Sequence, residues 1–221
     1  MIGIYVGLAN HYRPALAYRR VLLREAIASI VGGAGNIVTL MFADDAFVSS
    51  GNAIDKFIPT IGADITPFPG AEKANRSIVL GRTAAVCTPG ALGSYITDNN
   101  NVKSNITVAR FDGVVPFDRT IMLSYISVYV RMLMLTGGST FSALGTSYVD
   151  GSVGNAVNNN PHCYVATSVN AGINSYLGSD NNSAKTFDGP VWFWARFSNE
   201  LSAGQISAIY AELRKYYTFL T

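Results

Sequence analysis

From Asn36 onward the chain alternates short apolar runs with turns of asparagine and glycine, and that rhythm constrains the fold more than any other feature. The runs fall at 37–43, 77–81, 105–111, 120–135, 145–149, 163–169, 172–177 and 186–197. Within the longest, Tyr125, Ser127, Tyr129 and Arg131 alternate with Ile126, Val128, Val130 and Met132, giving a strand one wet face and one buried face. The intervening Asp98-Asn99-Asn100-Asn101, Asn158-Asn159-Asn160-Pro161 and Asp180-Asn181-Asn182 suit turns. Asparagine tolerates left-handed backbone, and its side chain bonds its own turn. Many short strands so punctuated predict a mainly β fold, a two-sheet antiparallel jelly-roll sandwich. Segment 44–72, with Pro59, Pro67 and Pro69, reads as a long irregular loop crossing it.

The first 35 residues differ in kind. After Pro14, which suits a helix start because its missing N–H has no helical partner there, comes an alanine-, leucine- and arginine-rich stretch without interior glycine. Leu16, Leu23, Ile27 and Ile30 recur near helical spacing, with Arg19, Arg20, Arg24 and Glu25 between them. Gly32, Gly33 and Gly35 stop the helix. Residues 1–35 are therefore expected to form a helical arm, an attachment element, ahead of a β domain at 36–221. Its helix either lies back on its own domain or docks onto a partner chain, with Leu16, Arg19, Arg20, Leu23, Arg24 and Ile27 as the contact residues.

The tail predicts a short C-terminal helix stapled to the last strand. Ser202 and Gln205 form an S-x-x-Q capping box, Leu201 and Ile206 flank it, and Ile206, Ile209, Tyr210, Leu213 and Tyr217 make an apolar stripe. Gly189-Pro190-Val191-Trp192-Phe193-Trp194, then Asn199-Glu200-Leu201-Ser202-Ala203-Gly204-Gln205-Ile206, then a helix from Ile209 through Tyr216, resemble the closing strand, turn and helix of laminin-G-like, concanavalin A-like jelly rolls. Ala195-Arg196-Phe197 departs from that family's usual turn entry, and the N-terminal helix lies outside its pattern. The resemblance implies the two-sheet jelly roll and no particular activity.

Chemistry is sparse. Cys87 and Cys163 are the only cysteines, without a CxxC pair, and read as free buried thiols. His11 and His162 are the only histidines, which excludes a histidine-rich metal centre. Charged residues make up 14% of the chain and the net charge is +2, so no basic face argues for nucleic acid. No apolar run approaches the ~18 residues of a membrane span, and the N-terminus lacks a signal-peptide pattern. Nucleophile-elbow, zinc-protease and phosphate-loop motifs are missing. Glycosidases on concanavalin-like sandwiches need paired carboxylates on one strand, whereas the four glutamates Glu25, Glu72, Glu200 and Glu212 are scattered. The chain is accordingly expected not to be an enzyme.

Binding is the better prospect. Trp192 and Trp194, two apart, are expected to share one strand face, where they either stack on a sugar or pack inside. Asp98, Asn100, Asp180 and Asn182 are the candidate loop ligands for a glycan. No cofactor is expected; a calcium ion held by such loop oxygens is the one exception left open. Five lysines against eleven arginines, 17 asparagines and low charge suit a protein enclosed in a large assembly. The expectation is a bacteriophage virion protein without a signal peptide: a tail-fibre, receptor-binding or capsid-decoration subunit. Its partners would be other virion proteins, its own copies and a host-surface glycan, with neither nucleic acid nor membrane insertion. A freestanding carbohydrate-binding module and a polysaccharide depolymerase are the alternatives.

Overall fold

The structure is a computed structural model that describes residues 5–67, 73–87, 94–112, 119–125, 129–134, 141–143, 145–156, 158–177 and 187–221. Helix α1 spans Tyr5–Ile30 and α2 Ala203–Tyr216. Between them lie β1 (Ile37–Phe42), β2 (Ala46–Phe47), β3 (Lys56–Phe57), β4 (Thr66–Pro67), β5 (Asn75–Val79), β6 (Arg82–Cys87) and β7 (Ser94–Ala109). There follow β8 (Arg119–Tyr125), β9 (Tyr129–Met134), β10 (Phe141–Ala143), β11 (Thr146–Val149), β12 (Ser152–Val153), β13 (His162–Leu177) and β14 (Gly189–Phe197). The fold is mainly β and antiparallel, with one N-terminal and one short C-terminal helix, as expected.

Strands pair in the order β10-β9-β8-β13-β7-β14-β6-β5, and β2 and β3 form a separate small sheet. Two long strands, β7 and β13, hold the sheet together. On its far edge β13 takes β11 against Tyr164–Thr167 and β8 against Asn174–Leu177. On the far edge of β14, β1 pairs along Phe193–Phe197 and β6 along Gly189–Val191.

Every residue of β14 is buried, because the sheet is covered on both faces. One face packs Leu40, Phe42, Ile106, Val108, Val165, Phe193 and Phe197 against Leu23, Ile27 and Val31 of α1 and Ile206, Ile209 and Leu213 of α2. The other packs Met41, Ala109, Tyr164, Ala166, Val191 and Trp194 against Ile54, Phe57, Ile65, Phe111 and Phe187. Burying a large apolar side chain from water is worth about 1.5–3 kcal/mol, so α1 from Leu23 onward is held by the same core as the sheet.

Local chemistry explains the helix ends. Gly32 and Gly33 take positive φ (84° and 127°), and Gly33 N–H donates to Ala28 O at 2.8 Å, closing α1 with a glycine stop. The capping box opens α2: Ser202 Oγ accepts from Gln205 N–H at 3.3 Å, and Ser202 N–H donates to Gln205 Oε1 at 3.0 Å. Gln205 Nε2 also donates to Ile30 O at 3.0 Å, so one amide caps α2 and satisfies an end carbonyl of α1.

Several local expectations are corrected. Helix α1 begins at Tyr5 rather than at Pro14, which sits inside it, removes one backbone donor and does not end it. The run Asp98-Asn99-Asn100-Asn101 lies within β7, not in a turn. There the β7–β13 register breaks, from Gly172↔Val102 to Asn174↔Thr97, so the asparagines serve a bulge. The single long run 120–135 is two strands, β8 and β9, paired from Tyr125↔Tyr129 outward. The segment at 44–72 carries β2, β3 and β4.

Candidate functional site

At the end of the sheet path, β5 and β6 form a hairpin whose turn, Leu80-Gly81, has positive φ at both residues (51° and 71°). The outer edge of β5 is partly covered by the 48–55 loop. Arg76 N–H donates to Asn52 O at 2.7 Å, Ile54 N–H donates to Ala74 O at 2.9 Å, and Ala53 bridges Asn75. The loop is shaped by Asp55. Its carboxylate accepts from Ser49 N–H and from Lys73 Nζ, both at 2.7 Å. The Lys73 ammonium first, then the Ser49 donors, hold the Asp55 carboxyl well below the usual carboxylate range, at about 2.

Between loop and strand lies an open groove of about 450 Å³ lined by Val48, Gly51, Asn52, Arg76, Ser77 and Ile78. Gly51 (φ 61°) turns the loop, and a side chain added there would meet nothing within 4 Å. Ile78 is 72% exposed; Arg76 and Asn52 are exposed as well. Among the described residues no carboxylate pairs with the Arg76 guanidinium. A guanidinium fork, an amide and a hydroxyl beside two aliphatic side chains supply donors, an acceptor and an apolar wall on one accessible surface. That mixture suits a polyhydroxylated ligand, whose hydroxyls need directed bonds and whose C–H faces need apolar contact.

The residues singled out from sequence fall elsewhere. Trp192 and Trp194 are both 0% exposed, so neither offers a ring to a sugar. They do not even share a face: Trp192 belongs to the helix-covered core and Trp194 to the opposite one. The cause is a bulge in β14, where Val191 pairs with Ala109 and Phe193 with the next residue, Val108, so the alternation slips by one. Asp98 and Asn100 lie on β7, with their side chains outside the description, and Asp180 and Asn182 lie outside the described residues. Among the described residues no group of three or more His, Cys, Asp or Glu is placed to hold a metal ion.

Of the α1 residues, Leu16 lies on the helix with its side chain outside the description, and Leu23 (4% exposed) and Ile27 (0%) face this chain's own core. Arg20 is also used internally: Nη1 donates to Asp45 Oδ1 at 3.1 Å, and the guanidinium sits 5.7 Å from the Phe42 ring centre. Burial raises the Asp45 carboxyl above its ordinary value; the Phe42 N–H and Arg20 oppose that. Arg19 is exposed, and Arg24 is 3.8 Å from Glu25. Both cysteines are free and buried, and burial pushes the Cys87 thiol up to about 12 and Cys163 higher still.

His162 closes the loop after β12. Its Nδ1 is 2.5 Å from Asp150 Oδ2, its Nε2 is 3.1 Å from Asn158 Oδ1, and Asp150 Oδ1 accepts from Cys163 N–H at 2.9 Å. Both ring nitrogens and both carboxylate oxygens are engaged, tying the β11–β12 turn and the loop after β12 to the start of β13, so this pair works as a clip.

No protein family and no curated protein sequence matches the chain. Solved structures do. A Trypanosoma rangeli sialidase aligns over 93% of this chain and 39% of its own at 12% identity and a TM-score of 0.50. The same sialidase in complex with the inhibitor DANA aligns over 90% and 38%, again at 12% identity and a TM-score of 0.50. Domain 4 of a GH43 extracellular arabinanase from Geobacillus stearothermophilus, in complex with arabinotriose, aligns over 79% and 98% at 13% identity and a TM-score of 0.47. The chain thus spans about two fifths of the sialidase chains, and what it shares with them is the fold. The expectation that it is not an enzyme is corrected on this finding. Its fold occurs within chains of enzymes, so missing sequence motifs do not set it apart from them.

Proposed function

We propose that this chain is a carbohydrate-binding β sandwich whose ligand lies in the groove between the 48–52 loop and β5. The groove itself carries the reading: Asn52, Arg76 and Ser77 provide hydrogen bonds beside the aliphatic Val48 and Ile78 in an open groove between the loop and β5. The shared fold with a sialidase, a protein that acts on a sugar, is consistent with that ligand class. A glycan array probed with the wild-type chain and with an Asn52→Ala, Arg76→Ala double variant tests it. Binding to a restricted set of glycans, lost in the double variant, is expected; a blank wild-type array or undiminished binding by the variant rejects it.

A second reading sets this module on a virion as a tail-fibre, receptor-binding or decoration subunit of laminin-G-like, concanavalin A-like type. The 14% charge content and the exposed Tyr18, Val21 and Leu22 on α1 favour it, since both suit contact with neighbouring subunits. It requires the protein to be recovered in purified particles at a fixed copy number, and its absence from them rules the setting out.

A further inference from the structure

The groove beside β5 holds a positive charge that the fold itself does not use. Arg76 is the one charged residue among those lining it, with Val48, Gly51, Asn52, Ser77 and Ile78 around it. The residue is exposed, and among the described residues its guanidinium has neither an ion pair nor a hydrogen bond. Arg20, Arg82, Arg110 and Arg196, by contrast, bond Asp45, the Tyr216 carbonyl, Asp112 and Thr39 within the chain.

Among the described residues, the neighbours of Arg76 leave that charge unopposed. The carboxylate of the same loop, Asp55, accepts from Lys73 Nζ and from Ser49 N–H, so its own charge is already matched. Across the hairpin Arg76 stands opposite Ala85, and Ile78 opposite Thr83, neither of them acidic. Side chains alternate along a strand, so Arg76 and Ile78 share one face about 7 Å apart. The exposure pattern agrees: both are exposed, while Ser77 and Val79 are half-buried.

That pairing of charge and apolar surface selects the ligand. A guanidinium presents N–H donors in one plane, matching the two oxygens of a carboxylate, and such charge-assisted bonds are roughly twice as strong as neutral ones. A carboxylate attached directly to a sugar ring puts its charge at the ring's edge and leaves the C–H face free. Arg76 and Ile78, side by side, offer one partner to each.

We propose that the groove takes an acidic saccharide, a uronate-type sugar. Its carboxylate is held by the Arg76 fork while its C–H face lies on Ile78 and its hydroxyls bond Asn52 and Ser77. The assignment rests on the saccharide-binding reading of the same groove and narrows it to one class of sugar.

An array of carboxylated glycans, each printed beside its neutral methyl ester and beside sulfated glycans, tests this with the full chain. Each acid that binds is expected to exceed its ester at least about tenfold, the excess falling as salt is raised. Arg76→Gln, at an exposed site without an internal partner, is expected to keep the wild-type melt and to bring the acid down to the level of its ester. Equal binding of acid and ester, or an acid preference that survives Arg76→Gln, overturns the carboxylate assignment and leaves the saccharide reading standing. Binding to neutral or sulfated glycans in place of carboxylated ones overturns it in the same way. A blank array overturns both.

Discussion

Ile27→Ala tests whether α1 is part of the folded body. Ile27 is 0% exposed and shares one cluster with Trp192, Phe193, Ile206 and Leu213, so truncation removes buried methyl groups and leaves a cavity between helix and sheet. Such losses cost about 2–5 kcal/mol, and because α1 is braced by Gln205 and Arg20 the site has little room to collapse. The expected loss is about 3 kcal/mol, or about 6–12 °C in melting temperature for a chain of this size. Leu22→Ala is the internal control: at 45% exposed, it is expected to stay within about 0.5 kcal/mol. Urea unfolding followed by circular dichroism and by tryptophan fluorescence measures both, Trp192 reporting directly on the cluster that contains Ile27. An Ile27→Ala cost no larger than that of Leu22→Ala would refute a docked α1.

Three further outcomes follow from single contacts. Asp55, held at about 2 by Lys73 and Ser49, has a folded pKa below its unfolded value near 4; the stability it lends is present above pH ~4 and is lost as pH falls through about 2. Carboxyl-carbon NMR should give that low midpoint in wild type and a higher one in Lys73→Met; identical midpoints would contradict the pairing. Gly189→Ala is expected to cost about 3 kcal/mol or more, since φ there is 138° and an added Cβ would clash with the Arg110 carbonyl; a melt within 1–2 °C of wild type would contradict it. Cys87 and Cys163, both buried with thiols pushed up, should resist a thiol reagent in native protein and react once urea unfolds it.

The parts that were legible in the sequence are those written in adjacent residues. Ser202 and Gln205 announce their cap, the stripe from Ile206 to Leu213 announces a buried helix face, and Gly32 and Gly33 announce the end of α1. Period-two runs likewise gave the antiparallel β class. What was not legible depends on register or on distant neighbours. The β14 bulge leaves no mark in Pro190-Val191-Trp192-Phe193, yet it sends the two tryptophans to opposite faces. The asparagine run at 98–101 has turn chemistry, but a bulge in a long strand uses the same tolerance of irregular backbone. The groove beside β5 joins Asn52 to Arg76 across a segment that reads as loop. Its one local signal is an arginine beside an exposed isoleucine on a short strand.

Amide shift mapping tests the central claim most directly: the glycan selected on the array is titrated into isotope-labelled protein. Perturbations centred on Gly51, Asn52, Arg76, Ser77 and Ile78, and removed by Arg76→Ala in a chain that still melts at the wild-type temperature, are the predicted result. Perturbations centred away from the 48–52 loop and β5, or unchanged by Arg76→Ala, would contradict it.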